Sequence, residues 1–124
     1  PTRIYVRALK AALSAGDVRG CAHITGGGLV ENPPRVLADG LVMRLDEKAW
    51  PEPDVFRRIA AAGVERAEMR RTFNCGLGLV IVVPKSDAEA VRAAVEAAGE
   101  RAFVVGDIAG GTAGEPSRVE FSGR

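Results

Sequence analysis

Apolar residues recur at helical spacing near the start of the chain. Ile4, Tyr5, Ala8, Leu9, Ala12 and Leu13 form one stripe, which predicts a helix over 3–15, and Gly16 stands where a C-terminal cap belongs. Residues 20–25 predict a short strand that runs into three consecutive glycines, Gly26, Gly27 and Gly28. A short helix fits 29–38, with Pro33 and Pro34 tolerable only in its first turn. Residues 41–45 alternate weakly and predict a strand, and 46–53, with Trp50, Pro51 and Pro53, predict a loop. Asp54 reads as an N-cap. Val55, Phe56, Ile59 and Ala60 would form the apolar face of the helix it starts, which ends near Gly63. A further short helical stretch covers 65–71.

In the second half, Phe73-Asn74-Cys75-Gly76 reads as a turn, and the apolar run 77–83, stopped by Pro84, predicts a buried central strand. Ser86 with Glu89 reads as a capping box opening an amphipathic helix. Val91, Ala94, Val95 and Ala98 would supply its buried face, and Gly99 its end. Residues 102–107 predict a strand, 110–116 a flexible loop, and 118–121 a last strand at an edge. Alternating strands and helices call for a sheet with helices packed on it. Periodicity alone allows a parallel α/β sheet as readily as an α+β arrangement.

Composition narrows the function more than the fold. The 124 residues suit one domain with one core, and an aromatic content of 5% leaves that core to Ala, Val, Leu and Ile. Seventeen basic residues against 16 acidic ones give a net charge of +1, so no general attraction to nucleic acid or to a membrane surface is expected. No apolar run approaches the roughly 20 residues that span a bilayer, and no signal peptide is visible, so the expected location is the cytoplasm. Cys21 and Cys75 read as reduced, partly buried thiols, and a single histidine with two distant cysteines shows no metal-ligand spacing. A start at Pro1 fits both removal of an initiating residue and a piece of a longer protein.

Candidate chemistry concentrates in two segments. In Ala22-His23-Ile24-Thr25-Gly26-Gly27-Gly28-Leu29, glycines after a strand can turn their N–H groups toward a phosphate, or simply make a tight exit from the strand. Neither the dinucleotide fingerprint nor the P-loop is matched. Thr25 adds a hydroxyl beside the glycines. His23 either faces the core, satisfied by a carbonyl, or reaches a ligand held by the loop. Just beyond, Glu31 suits the positive end of a short helix, and Asn32 faces a ligand or caps a turn. In Arg71-Thr72-Phe73-Asn74-Cys75-Gly76, Arg71, Thr72 and Asn74 can line a cleft beside the glycine loop. The alternative is that Asn74 holds a turn and Arg71 is solvated, like Arg57, Arg58 and Arg66. Cys75 has no base near it in sequence. Gly110-Gly111-Thr112-Ala113-Gly114 reads as a mobile loop, not as a second cradle.

The first segment, continued by Glu31-Asn32 and Pro34-Arg35-Val36-Leu37, resembles the aminoimidazole ribonucleotide synthetase family, also called phosphoribosylformylglycinamidine cyclo-ligase. Glu68-Met69 with Arg71-Thr72-Phe73-Asn74-Cys75-Gly76 and Gly78 is similar to a second segment of that family. Pro1-Thr2-Arg3-Ile4-Tyr5-Val6 resembles the entry to its C-terminal domain, and Gly106-Asp107-Ile108 with Val119-Glu120-Phe121 resembles its ending. Two positions depart from the pattern: Pro33 stands where an aliphatic residue is usual, and Arg70 where an aromatic one is common.

The resemblance implies an α+β fold, a mixed, mainly antiparallel sheet with helices packed on it, partly like a ferredoxin-type arrangement. It implies that 1–124 form a single domain, the C-terminal domain of a two-domain enzyme, without the N-terminal domain for ATP binding and dimerisation. The implied reaction closes the imidazole ring of purine precursors. ATP phosphorylates the formyl amide oxygen of formylglycinamidine ribonucleotide, an amidine nitrogen attacks the activated carbon, and phosphate departs. ATP and Mg2+ would be held mainly by the missing domain, and the full-length enzyme would be a homodimer. In this chain the resemblance implies His23 as a catalytic residue. Thr25, Gly26, Gly27, Gly28, Asn32, Arg71, Thr72 and Asn74 become substrate- or phosphate-binding residues, with no metal ligand. The isolated chain is then expected to be inactive and, with an uncovered apolar face, to self-associate. Two other readings stand beside this one. One is a phospho-ligand-binding or interaction module without catalysis. The other is a related ATP-dependent synthetase of the same superfamily, against which the His-Ile-Thr-Gly-Gly-Gly wording speaks.

Overall fold

The computed structural model describes residues 6–24, 28–51, 53–72 and 76–123. In chain order its elements are α1 (Val6–Ala15), β1 (Gly20–His23), α2 (Gly28–Glu31), a 3-10 turn (Pro33–Val36), β2 (Leu41–Asp46), α3 (Asp54–Ala61) and α4 (Arg66–Thr72). There follow β3 (Leu79–Val82), a second 3-10 turn (Lys85–Asp87), α5 (Ala88–Ala97), β4 (Gly106–Gly110) and β5 (Arg118–Ser122). The chain divides into two compact units, one holding residues up to 21 and 81–104, the other the remainder.

In the first unit α1 packs on α5. Ala8 and Ala12 meet Val91 and Val95 in a buried cluster, with Ala15, Val18, Ile81, Val83 and Ala102 around it. Alanines on one helix let the valines of the other come close, and Gly16 extends this. A β-carbon there would lie 2.7 Å from Cγ2 of Val91. The Gly16 N–H donates to the Ala12 carbonyl at 3.1 Å, closing the helix as expected. The predicted stripe is only partly buried, since Leu13 is 57% exposed, while Ile4 and Tyr5 lie outside the described residues. The capping box is not formed. Pro84 enters extended, and the Asp87 N–H donates to the Pro84 carbonyl, so Ser86 sits inside a 3-10 turn and α5 begins at Ala88 without a side-chain cap. The Asp87 carboxylate accepts instead from the Asp17 N–H at 2.9 Å. Gly99, at φ +100, ends α5 as predicted.

In the second unit β2 is the middle strand of a three-stranded sheet ordered β4-β2-β5. It runs antiparallel to β4, with Met43 opposite Ile108, and parallel to β5, with Met43 opposite Val119 and Leu45 opposite Phe121. Val42, Met43 and Leu45 are buried. The buried central strand is therefore β2, not the run 77–83. That run forms only β3, paired with β1 in a two-stranded sheet, and Gly76 and Gly78 at its start keep the strand short.

The predicted strand 102–107 is displaced to Gly106–Gly110. Phe103 and Val104 are exposed, and pairing begins where Gly106 lets the chain pass Arg44: a β-carbon there would sit 1.7 Å from the Arg44 carbonyl oxygen. β5 is an edge strand, as expected. The cap of α3 is Pro53; Asp54 is its first helical residue and pairs with Arg57 at 3.6 Å. Val55, assigned to the apolar face of α3, is 54% exposed. The fold is α+β with helices and mixed sheets. Among the described residues no helix is long and apolar enough to cross a membrane.

Candidate functional site

The glycine segment leads into a single helical turn. Gly28 opens α2 at φ +61, a backbone conformation in which a side chain is strained, and it is buried. Leu29 next to it has no exposed surface. The Asn32 N–H donates to the Gly28 carbonyl at 3.3 Å, and the 3-10 turn starts at once, with Arg35 N–H on Asn32 O. Pro33 has no N–H to continue an α-helix, and its ring is fully buried, so the expected helix over 29–38 becomes one α-turn followed by a 3-10 turn. One turn of helix carries little macrodipole. Anion binding here would rest on individual N–H groups and side chains. Glu31 is exposed and pairs with Arg35 at 3.9 Å.

The second segment begins inside α4, whose last two residues are Arg71 and Thr72. α2 and α4 pack against each other, and Leu29 on one and Met69 on the other are both fully buried. Gly28 and Asn32 are thus brought beside the helix that carries Arg71 and Thr72. Asn32 is 6% exposed and makes no cap bond to the 3-10 turn. His23, the last residue of β1, is exposed, which excludes the core reading of its ring. Thr25, Gly26, Gly27 and Asn74 lie outside the described residues, as do Cys75 and the side chains of Arg71 and Thr72.

The charge that holds α4 escaped the sequence reading. Glu47, in the turn after β2, is fully buried. Its Oε2 accepts from Arg66 Nη2 at 2.7 Å and its Oε1 from Arg70 Nη2. The Arg70 guanidinium also lies over the Phe121 ring, 4.3 Å from its centroid. The Glu47 N–H donates to the Ser122 carbonyl at 2.9 Å. Arg66 is therefore not a solvated charge like Arg57: its side chain is 27% exposed and committed to Glu47. The available signal was the i, i+4 spacing of Arg66 and Arg70, which puts both on one face of α4. Nothing in Asp46-Glu47-Lys48 marks the middle residue as buried.

Away from this region, Cys21 is a half-buried free thiol whose pKa is pushed up by burial. A shallow open depression of about 310 Å³ is lined by Arg44, Leu45, Asp46, Gly106, Asp107 and Ser122. Among the described residues no three His, Cys, Asp or Glu side chains are grouped to hold a metal ion.

The family model described as AIR synthase related protein, C-terminal domain, matches residues 1–117. A protein of Burkholderia cenocepacia named phosphoribosylformylglycinamidine cyclo-ligase is 49% identical over 120 residues, covering 96% of this chain and 34% of that protein. Proteins of the same name from Burkholderia multivorans and Burkholderia vietnamiensis are 48% identical over the same length, with the same coverage. The chain spans about a third of the length of the curated relatives it matches.

Proposed function

Because the chain belongs to the AIR synthase related protein, C-terminal domain family, we propose that residues 1–124 are one domain, the C-terminal part of an ATP-dependent cyclo-ligase. The substrate is formylglycinamidine ribonucleotide and the product aminoimidazole ribonucleotide, made in the cytoplasm during purine biosynthesis. ATP and Mg2+ bind mainly through an N-terminal domain, which also makes the homodimer. The observation that carries this reading is the 49% identity over 96% of the chain to relatives of that name.

Within the chain, the packing of α2 on α4 supports a site made from both segments. The N–H groups of Gly26, Gly27 and Gly28 suit a phosphate or a developing oxyanion. Thr25, Asn32, Arg71, Thr72 and Asn74 complete the wall that holds the substrate. His23 lies exposed at the end of β1, and its imidazole suits exchanging a proton or donating a hydrogen bond during ring closure. Most of the work is positioning, since the phosphorylated oxygen is already a good leaving group.

The test is ATP-dependent ring closure by the full-length protein that carries this chain, followed as ADP and phosphate formed together with the imidazole product. Activity is expected in that protein and none in the isolated chain. His23→Ala should lower kcat/KM by about a hundredfold or more, the lower end of what an acid–base group supplies, and Asn32→Ala by about tenfold or more, the loss of a hydrogen bond to substrate. A full-length protein that forms no imidazole with substrate, ATP and Mg2+ refutes the reading. Unchanged kcat and KM in His23→Ala remove that residue from the mechanism.

A further inference from the structure

Glu47 is a fully buried carboxylate, and both residues that neutralise it belong to α4, one turn apart. A carboxylate taken out of water is tolerated only when it is paired and its lone pairs are used. Here Arg66 takes one oxygen and Arg70 the other, so the carboxylate is bridged by the helix and not by one flexible partner. Arg70 is fixed on its second side by the Phe121 ring. α4 has only seven residues, too few to be stable as a helix by itself. Its direction is set by what it is fastened to: α2 and α3 by packing, and the Glu47 turn by charge. Arg71 and Thr72 follow Arg70 directly and end the helix. A rotation or slide of α4 that displaced them would have to break the two bonds to Glu47 or re-aim both arginine side chains together.

We propose that Glu47 is a positioning residue: by bridging Arg66 and Arg70 it locks α4 and so sets where Arg71 and Thr72 meet a phosphorylated ligand. This rests on the cyclo-ligase reading above for the ligand, whereas the locking of α4 stands on the structure alone. Displacements of about 1 Å in groups that orient a substrate can cost on the order of a hundredfold in rate. A lost clamp should therefore be felt at the site although Glu47 itself touches no substrate.

The experiment compares the full-length protein with Glu47→Gln and Glu47→Asp in two measurements. In hydrogen exchange, Glu47→Gln should accelerate amide exchange in 66–72 by about tenfold or more while leaving 88–97 unchanged, because local opening depends on local fastening. In steady-state kinetics it should raise the KM for formylglycinamidine ribonucleotide by about tenfold with a smaller change in kcat, and Glu47→Asp should recover part of that loss. If Glu47→Gln does not fold, Arg70→Gln is read in the same two assays with the same expectation. Unchanged exchange over 66–72 overturns the clamp whatever the activity. Accelerated exchange with wild-type KM and kcat overturns its role at the site. A wild-type protein without cyclo-ligase activity overturns the function reading and with it the ligand named here, while the exchange result still decides the clamp.

Discussion

The guanidinium of Arg70 lies over the ring of Phe121, joining the last turns of α4 to the edge strand β5. The resemblance puts an aromatic residue at position 70, and the arginine found there keeps a flat face against Phe121 while adding a charge for Glu47. Phe121→Leu removes the stacking surface and part of the packing. We expect it to destabilise the chain by about 1–2 kcal/mol. Urea unfolding followed by the fluorescence of Trp50, which is 2% exposed and the single tryptophan of the chain, would measure it. A change within about 0.5 kcal/mol, the ordinary range for surface substitutions, would mean that the contact contributes nothing.

Gly16 and Gly63 are both helix-end glycines, yet they should respond differently to substitution. Gly16 has no positive φ; its constraint is that an added β-carbon would lie only 2.7 Å from Val91 Cγ2 and 3.0 Å from Asp87 Cβ. Gly63 sits at φ +106 with nothing within 4 Å of such a carbon. Gly16→Ala should cost about 1–3 kcal/mol through overpacking, and Gly63→Ala about 1–3 kcal/mol through backbone strain. The two causes separate in a double-mutant cycle. Val91→Ala opens space beside residue 16, so Gly16→Ala should cost less in that background, while the cost of Gly63→Ala should stay the same. Additivity at both positions would rule out Val91 as the obstacle at Gly16 and leave the Asp87 side chain as the remaining steric cause.

Cys21 is half-buried, and burial raises its thiol pKa. The thiolate is the reactive form, so fewer molecules carry it at neutral pH than for a free thiol. In a Cys75→Ser background, iodoacetamide should modify Cys21 more slowly than it modifies free cysteine at about pH 7.5, where an ordinary thiol is already partly ionised. The gap should shrink as the pH is raised. Modification as fast as that of free cysteine would show that burial does not govern this thiol.

The two motif segments were legible in the sequence because each is a short run of neighbouring residues. A shared cleft for the two was one reading of the residues, but the packing of α2 on α4 through buried Leu29 and Met69 was not legible, because it exists only in the folded chain. Gly16 was readable as a helix end, but the reason for it is Val91, far along the sequence. Hydrophobicity pointed to 77–83 as the central strand. β2 holds that place although it carries Arg44 outward to Asp107, since partners on both sides, and not apolarity alone, make a strand central. Glu47 shows the same gap in reverse: a charge between two charges reads as solvated, and only the arginines of α4 explain its burial.

The start of α5 offers a test of charge by pH. Arg92 bonds the Glu89 carboxylate and holds its pKa below the ordinary value, and Arg92 in turn is pushed up by Glu89. A carboxyl group whose pKa falls on folding stabilises the folded chain above its unfolded pKa, and that contribution fades as the pH drops through the lower, folded value. The Glu89 side chain is 74% exposed, so the effect is small and screened by salt. Glu89→Gln should therefore unfold slightly earlier in urea than the wild type at neutral pH and low salt. The difference should narrow as the pH falls through the usual carboxylate range toward the lowered folded value, and it should also shrink in concentrated NaCl. The first turn of α5 favours a negative charge as well, so both contributions vanish together on protonation. A gap that persists in acid would assign the effect to the shape or helix propensity of residue 89 and not to its charge.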